Sequence, residues 1–179
     1  MRKIILYIAT SLDMKIADEY GGVEWLNLFQ NTDESDYGYV DFYNATDTII
    51  MGNNTYKTIL NFGIEFPYKN HACFVFSRNA EHLDDENVFK VYAEYEMVVK
   101  KLKRQKSKKN IWLMGGGELA SFFLENKWID EIRLFVMPII LGNGIDLFTG
   151  HLNKKTLKFE SSKNFTSGAV ELIYSNNNQ

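Results

Sequence analysis

Apolar and polar positions along the chain fall into two rhythms. Short runs rich in β-branched and aromatic residues, bounded by turn residues, predict strands at 3–10, 47–51, 72–77, 88–92, 110–114, 131–138, 156–164 and 168–175. Stretches with apolar residues at helical spacing predict helices near 35–45, 53–60, 94–106 and 117–126. Strands alternate with helices through most of the chain, which implies parallel βαβ units. The last two strands follow one another across Asn164-Phe165-Thr166-Ser167-Gly168, a turn signal, which implies antiparallel strands added at the sheet edge. The expected fold class is α/β: three layers, with a mixed, mostly parallel central sheet flanked by helices and ending in antiparallel C-terminal strands. Such sheets bind ligands in the crevice beyond the carboxyl ends of their strands.

With 179 residues the chain suffices for one domain with a substantial core, expected over 1–175, and Asn176 to Gln179 read as a frayed tail. Hydrophobic residues make up 45% and the formal net charge is -3, which argues for a folded protein and against a general nucleic-acid binder. The apolar run Ile4 to Ala9 is too short to span a membrane, and no run of about 18 apolar residues occurs elsewhere. The expectation is a soluble, cytoplasmic protein without membrane partners. Cys73, the lone cysteine, falls in an apolar strand, which fits a buried thiol in a reducing compartment. His71, His82 and His151 have no partner at ligand spacing, so no metal site is expected. The run Lys100 to Lys109 reads as a solvated face near a helix C-terminus, without the interleaved aromatics that stack on bases. Phe122, Phe123 and Trp128 read as packing residues.

Chemistry concentrates where strands run into helices. In Ile111-Trp112-Leu113-Met114-Gly115-Gly116-Gly117-Glu118-Leu119-Ala120 a buried strand passes through three glycines into a helix. Glycines let a backbone approach an anion closely, and the free N–H groups of the first helical turn then point at it. Glu118 is an awkward neighbour for a phosphate, so its side chain is expected to point away. The match to G-x-G-x-x-A comes too late in the chain for a Rossmann domain, and no G-x-x-x-x-G-K-[ST] is present. A second unit, Asp47 to Gly52 followed by Asn53-Asn54-Thr55-Tyr56-Lys57, repeats the logic, and a third strand ends at Phe76-Ser77-Arg78-Asn79. Three strand ends thus carry residue types suited to a ligand with several phosphates.

Four segments together make the chain recognisable: Ala9 to Ala17, Met51 to Tyr56, Met114 to Glu118, and Pro138 to Phe148. In their order and spacing the sequence resembles the dihydrofolate reductase superfamily, and within it the reductase (RibD C-terminal) domain of riboflavin biosynthesis and its stand-alone bacterial relatives. The resemblance runs from Ile4 to about Tyr174. It implies a dihydrofolate-reductase-like fold and NADPH as cofactor. Ala9, Ile16 and Ala17 would offer backbone groups to the nicotinamide carboxamide. Gly52, Asn53, Asn54 and Thr55 would meet the pyrophosphate and adenosine side. Ser77 and Arg78 would hold the adenosine ribose and its 2′-phosphate. Gly115, Gly116, Gly117, Glu118 and Leu119 would wrap the pyrophosphate, and in the family the first two of these glycines are joined by a cis peptide. Two departures stand out. The family's basic residue near Asn53 or Asn54 is absent, and its Ser-Leu-Asp-Gly reads Ser11-Leu12-Asp13-Met14.

The substrate is read from what surrounds the nicotinamide end. A folate site in this superfamily has a buried carboxylate a few residues after a tryptophan. Trp25 is present, but Asn27-Leu28-Phe29-Gln30-Asn31 carries no acid, while Asp33, Glu34 and Asp36 read as the exposed start of a helix. Asp13 is the candidate catalytic and substrate-facing group, as a proton donor alongside water, with the alternative that it caps nearby backbone N–H groups. Trp25 joins it as a substrate-binding candidate. The expected function is NADPH-dependent hydride transfer to a C=N or C=O bond of a small pteridine- or ribosylaminopyrimidine-like molecule, of the 5-amino-6-(5-phosphoribosylamino)uracil reductase kind. The alternatives are a true dihydrofolate reductase and a non-catalytic nucleotide-binding module. The family often forms homodimers, and Leu134-Phe135-Val136-Met137 is the strand expected to contribute to such an interface.

Overall fold

The computed structural model describes residues 1–29, 35–79 and 85–176. In chain order its strands are β1 (Ile4–Thr10), β2 (Lys15–Asp18), β3 (Thr46–Gly52), β4 (Ala72–Phe76), β5 (Val88–Val91), β6 (Asn110–Gly115), β7 (Glu131–Val136), β8 (Gly144–Asp146), β9 (Leu157–Asn164) and β10 (Val170–Asn176). The helices are α1 (Tyr39–Asn44), α2 (Asn53–Leu60), α3 (Tyr95–Arg104) and α4 (Gly117–Glu125), preceded by a 3-10 helix over Glu24–Phe29. Eight strands form one sheet in the order β5-β4-β3-β6-β1-β7-β10-β9, and β2 pairs with β8 in a small sheet of its own. All neighbours from β5 to β7 are parallel, and β7–β10 and β10–β9 are antiparallel.

Alternation along the central strands supplies two cores. In β1, Ile4 and Leu6 join Ile50, Leu113, Val99, Leu102 and Phe123 on the side of α3 and α4. Ile5 faces the other way and joins Ile49, Met51, Tyr56, Ile59 and Trp112 beneath α1 and α2. Successive side chains of a strand point to opposite faces, so strands covered on both sides read as unbroken apolar runs. Helices α1 and α2 join β1 to β3 and β3 to β4 on one face, and α3 and α4 join β5 to β6 and β6 to β7 on the other, which suits the right-handed crossovers such sheets favour.

Arg2, almost fully buried, closes the N-terminal end of the sheet. Its guanidinium pairs with Asp47 and also donates to Thr48 Oγ1 at 2.9 Å and to the Gln105 side chain at 2.9 Å, while Nε donates to the Lys109 carbonyl at 2.9 Å. The edge strand β9 is largely exposed on both faces and carries Lys158, Glu160 and Lys163. Charges on an edge discourage pairing with another chain.

Several expectations need correction. The helix expected over 35–45 begins only at Tyr39, because Tyr37 and Gly38 have φ of 56° and 77°. Asp36 accepts from the Gly38 and Val40 N–H groups at 2.9 and 2.8 Å and so anchors that start. Asp33, Glu34 and His82 lie outside the described residues, as do 177–179 of the expected tail, whereas Asn176 is not frayed but ends β10 opposite Leu157. Leu134, Phe135 and Met137 are buried within the chain's own core, because β7 lies between β1 and β10, so they do not form an exposed pairing surface. Strands β2 and β8 were not anticipated.

Candidate functional site

The strand order brings the separate loops together. Strands β4, β3, β6 and β1 are adjacent and parallel, so their carboxyl ends form one row, about 14 Å long at the usual strand spacing. Ser77 and Arg78 follow β4, Gly52 to Thr55 follow β3, Gly115 to Leu119 follow β6, and Ala9 to Asp13 close β1. Every candidate cofactor residue outside β2 lies on this row. Ile16 and Ala17 belong to β2, which folds back beside the end of β1 and pairs with β8.

Two helix N-termini open onto the row. Neither α2, with Gly52 at its N-cap, nor α4, with Gly116 at its N-cap, is capped by a side chain. In α4 the Ala120 N–H bonds the Gly116 carbonyl at 2.9 Å, which leaves the N–H groups of Gly117, Glu118 and Leu119 directed off the helix end. Thr55 ties the two termini together, since its Oγ1 accepts the Gly116 N–H at 3.0 Å. Gly115 has φ of 114°, a backbone that favours glycine, and a Cβ there would lie 3.1 Å from Ile8 Cδ1. The glycine cradle is therefore required by backbone conformation and by close packing. Among the described residues every peptide is trans, so the cis bond expected between Gly115 and Gly116 is not present.

The far end of the row, beside β4, is charged. Arg78 Nη2 lies 2.9 Å from Glu118 Oε2, and both side chains are exposed. Glu118 reaches across the row to Arg78. Ser77 accepts the Tyr95 hydroxyl through its carbonyl at 2.8 Å, which pins the turn that carries Arg78.

At the β1 end, Asp13 stitches two loops. Its carboxylate accepts the Ser11 hydroxyl at 2.6 Å and the backbone N–H groups of Leu141 and Gly142 at 3.1 and 2.8 Å. The Ser11 hydroxyl foremost, then the backbone donors, hold its pKa down to about 2. An acid that strong is ionised at neutral pH and donates no proton there, so the capping role is the one its contacts support. Next to it Met14 takes φ of 62°, the left-handed conformation that glycine occupies without strain. The loop is fixed further by Leu147 N–H donating to the Met14 carbonyl at 2.9 Å and by Lys15 pairing with Asp146.

Trp25 lies beyond the ends of β1 and β7, buried with Phe135, Met137, Phe165 and Ala169 and flanked by Ala9, Tyr7 and Tyr37. Its indole Nε1–H is buried and has no hydrogen-bond partner among the described residues. An orphaned buried donor of this kind is a ready contact for an acceptor on a ligand. Sequence reasoning missed the rest of this aromatic wall, Phe135, Phe165 and Tyr37, and also Glu171, whose pKa is raised by burial against the opposing pull of Arg133 and Lys163. Glu171 stands opposite Phe135 in the sheet, and only the β7–β10 register reveals that. Among the described residues no group of three or more His, Cys, Asp or Glu side chains converges as a metal site would need, and no helix is long and apolar enough to cross a membrane.

Comparison with known proteins agrees with this geometry. The uncharacterized protein YwjB of Bacillus subtilis (strain 168) is 39% identical over 173 residues, which are 97% of each chain. A solved structure from Shewanella sp. PV-4, named for riboflavin biosynthesis, superposes with a TM-score of 0.84 at 30% identity and covers 98% of this chain and 99% of that one. Dihydrofolate reductase from Enterococcus faecalis, solved with NADP(H), shares the fold at a TM-score of 0.70 and 12% identity, covering 98% of this chain and 97% of that one. Residues 68–170 match the RibD C-terminal domain. Fold, strand-end row and sequence thus agree, and the chain belongs to the RibD C-terminal domain family, a reductase family on the dihydrofolate-reductase-like fold.

Proposed function

We propose that the protein is an NADPH-dependent oxidoreductase that reduces a C=N or C=O bond of a small pteridine- or ribosylaminopyrimidine-like substrate. The observation that carries this reading is the row of four adjacent strand ends, with two uncapped helix N-termini at its middle and a buried aromatic cluster at one end. An extended dinucleotide matches both its length and its chemistry. The residues fit the cofactor: the uncapped first turns of α2 and α4 offer N–H donors to a pyrophosphate, and Arg78 suits a 2′-phosphate.

When bound, NADPH supplies a hydride from nicotinamide C4. The chain's own residues orient and dry the site. Backbone groups of Ala9, Ile16 and Ala17 would hold the carboxamide, and the wall of Trp25, Phe135 and Phe165 would exclude water and stack a planar substrate. The Trp25 N–H would donate to a ring nitrogen or carbonyl of that substrate. Asp13 acts here as a positioning residue that fixes the β1 loop to 141–142, and water delivers the proton. The lack of an acid over 27–31 weighs against dihydrofolate as the natural substrate.

The test is NADPH oxidation followed at its absorbance band with dihydrofolate, pterins and ribosylaminopyrimidines as acceptors. Turnover with a pterin or ribosylaminopyrimidine supports the reading, and preferential turnover of dihydrofolate replaces it with dihydrofolate reductase. Tight NADPH binding without turnover of any acceptor would favour a nucleotide-binding module instead.

A further inference from the structure

Arg78, the cation best suited to a 2′-phosphate, is already engaged. Its Nη2 lies 2.9 Å from Glu118 Oε2. Glu118 belongs to the first turn of α4, whose N–H groups face the same row, so an acidic side chain stands where anions are otherwise favoured. The pair joins the β4 end to the β6 end across the intervening β3 end.

Building on the cofactor reading above, we propose that Glu118 is a specificity-determining residue. It acts as an internal competitor for Arg78 that lowers the protein's preference for a 2′-phosphorylated dinucleotide over its unphosphorylated counterpart.

The argument is one of charge and exposure. The side chains of Arg78 and Glu118 are 83% and 71% exposed, so their bond forms in water and opens at little cost. A 2′-phosphate that reaches Arg78 must displace the carboxylate or accept it as a like-charged neighbour. Either way part of the attraction to Arg78 is cancelled. A dinucleotide with a free 2′-hydroxyl brings no charge to that point and is indifferent to the exchange. Glu118 therefore acts on the difference between the two cofactors, as specificity requires. The effect is modest because both groups are solvated, and salt weakens it further.

The experiment is a fluorescence titration with NADPH and NADH of wild type, Glu118→Gln, Arg78→Ala and the double variant, at low and high salt. Both positions are exposed, and Gln keeps the size of the side chain, so folding should be unaffected; a thermal melt of each variant verifies this. Glu118→Gln is expected to tighten NADPH binding about three- to fivefold while NADH stays within about twofold. The gain should shrink at high salt and in the Arg78→Ala background. An equal gain for both dinucleotides, or no gain for NADPH, would overturn the role of Glu118 and leave the cofactor assignment standing. A wild-type protein that binds neither dinucleotide would overturn the cofactor assignment itself, and the inference with it.

Discussion

Gly117 offers a sharp test of how tightly the glycine loop is built into the fold. A Cβ at this position would lie 2.3 Å from the Asp146 carbonyl oxygen and 3.1 Å from Thr149 Cγ2. Ordinary contact requires that gap to open by about 1 Å. The carbonyl belongs to β8, which cannot retreat freely. It is paired with β2, the adjacent Leu147 N–H is bonded to Met14, and Thr149 N–H is held by Ser121 Oγ at 2.7 Å. Overpacking of this kind costs about 1–3 kcal/mol. Alanine regains up to about 1 kcal/mol of helix propensity, and less in a first turn. Gly117→Ala should therefore lose about 1–2 kcal/mol, which for a domain of this size lowers Tm by about 3–6 °C. Gly52→Ala is the matched control, because its Cβ would meet the Gly115 carbonyl oxygen at 3.7 Å and Leu119 Cβ at 3.9 Å, both ordinary contacts. Thermal unfolding followed by circular dichroism measures both. A Gly117→Ala protein as stable as wild type, or a Gly52→Ala protein equally destabilised, would refute the claim that close packing fixes this glycine.

Other outcomes follow from the same contacts. Arg2→Met should lower stability by roughly 3 kcal/mol in urea unfolding, because it removes the cation paired with Asp47 and leaves the acceptors on Gln105 and Lys109 without that donor. The Cys73 thiol, pushed up to about 12 by burial, should resist alkylation at pH 8 in the native protein and react once the protein is unfolded. Asp13 has a folded pKa of about 2 against an ordinary 3.8, so its contribution is complete above pH 4 and is lost as pH falls through 2. The Leu141 and Gly142 amides should lose exchange protection across that window in NMR, and Asp13→Ala should remove that protection at every pH.

The sheet and the cofactor row were largely readable from the chain because both depend on local signals. β-branched runs ending in glycine mark β3 and β6, and the glycines themselves announce the turns into α2 and α4. Strands β2 and β8 gave no such signal. They are four and three residues long, alternate weakly, and exist because the loop after β1 lies beside the segment after Pro138. The 3-10 helix over Glu24–Phe29 was hidden likewise, since six residues carry too little periodicity to separate it from a loop. Asp13 was found by its position at the end of β1, but its partners Leu141 and Gly142 lie 128 and 129 residues away, so only the fold distinguishes a cap from an acid. The contact between Arg78 and Glu118 spans 40 residues, so only the fold reveals it.

The place of β1 has a consequence for biosynthesis. Strand β1 is synthesised before every partner it has in the sheet, yet it lies in the middle, where Ile4 pairs with Ile111 and Ile5 with Glu131. At elongation rates of about 5–20 residues per second, its neighbours follow only after several seconds. During that interval an apolar heptapeptide has no native partner, and its pairings are among the most non-local in the molecule, the kind that slow folding. Nascent chains truncated before residue 136 should accordingly engage chaperones through Ile4 to Thr10 and release them when β7 emerges, so that a strand made before its neighbours is among the last to become native.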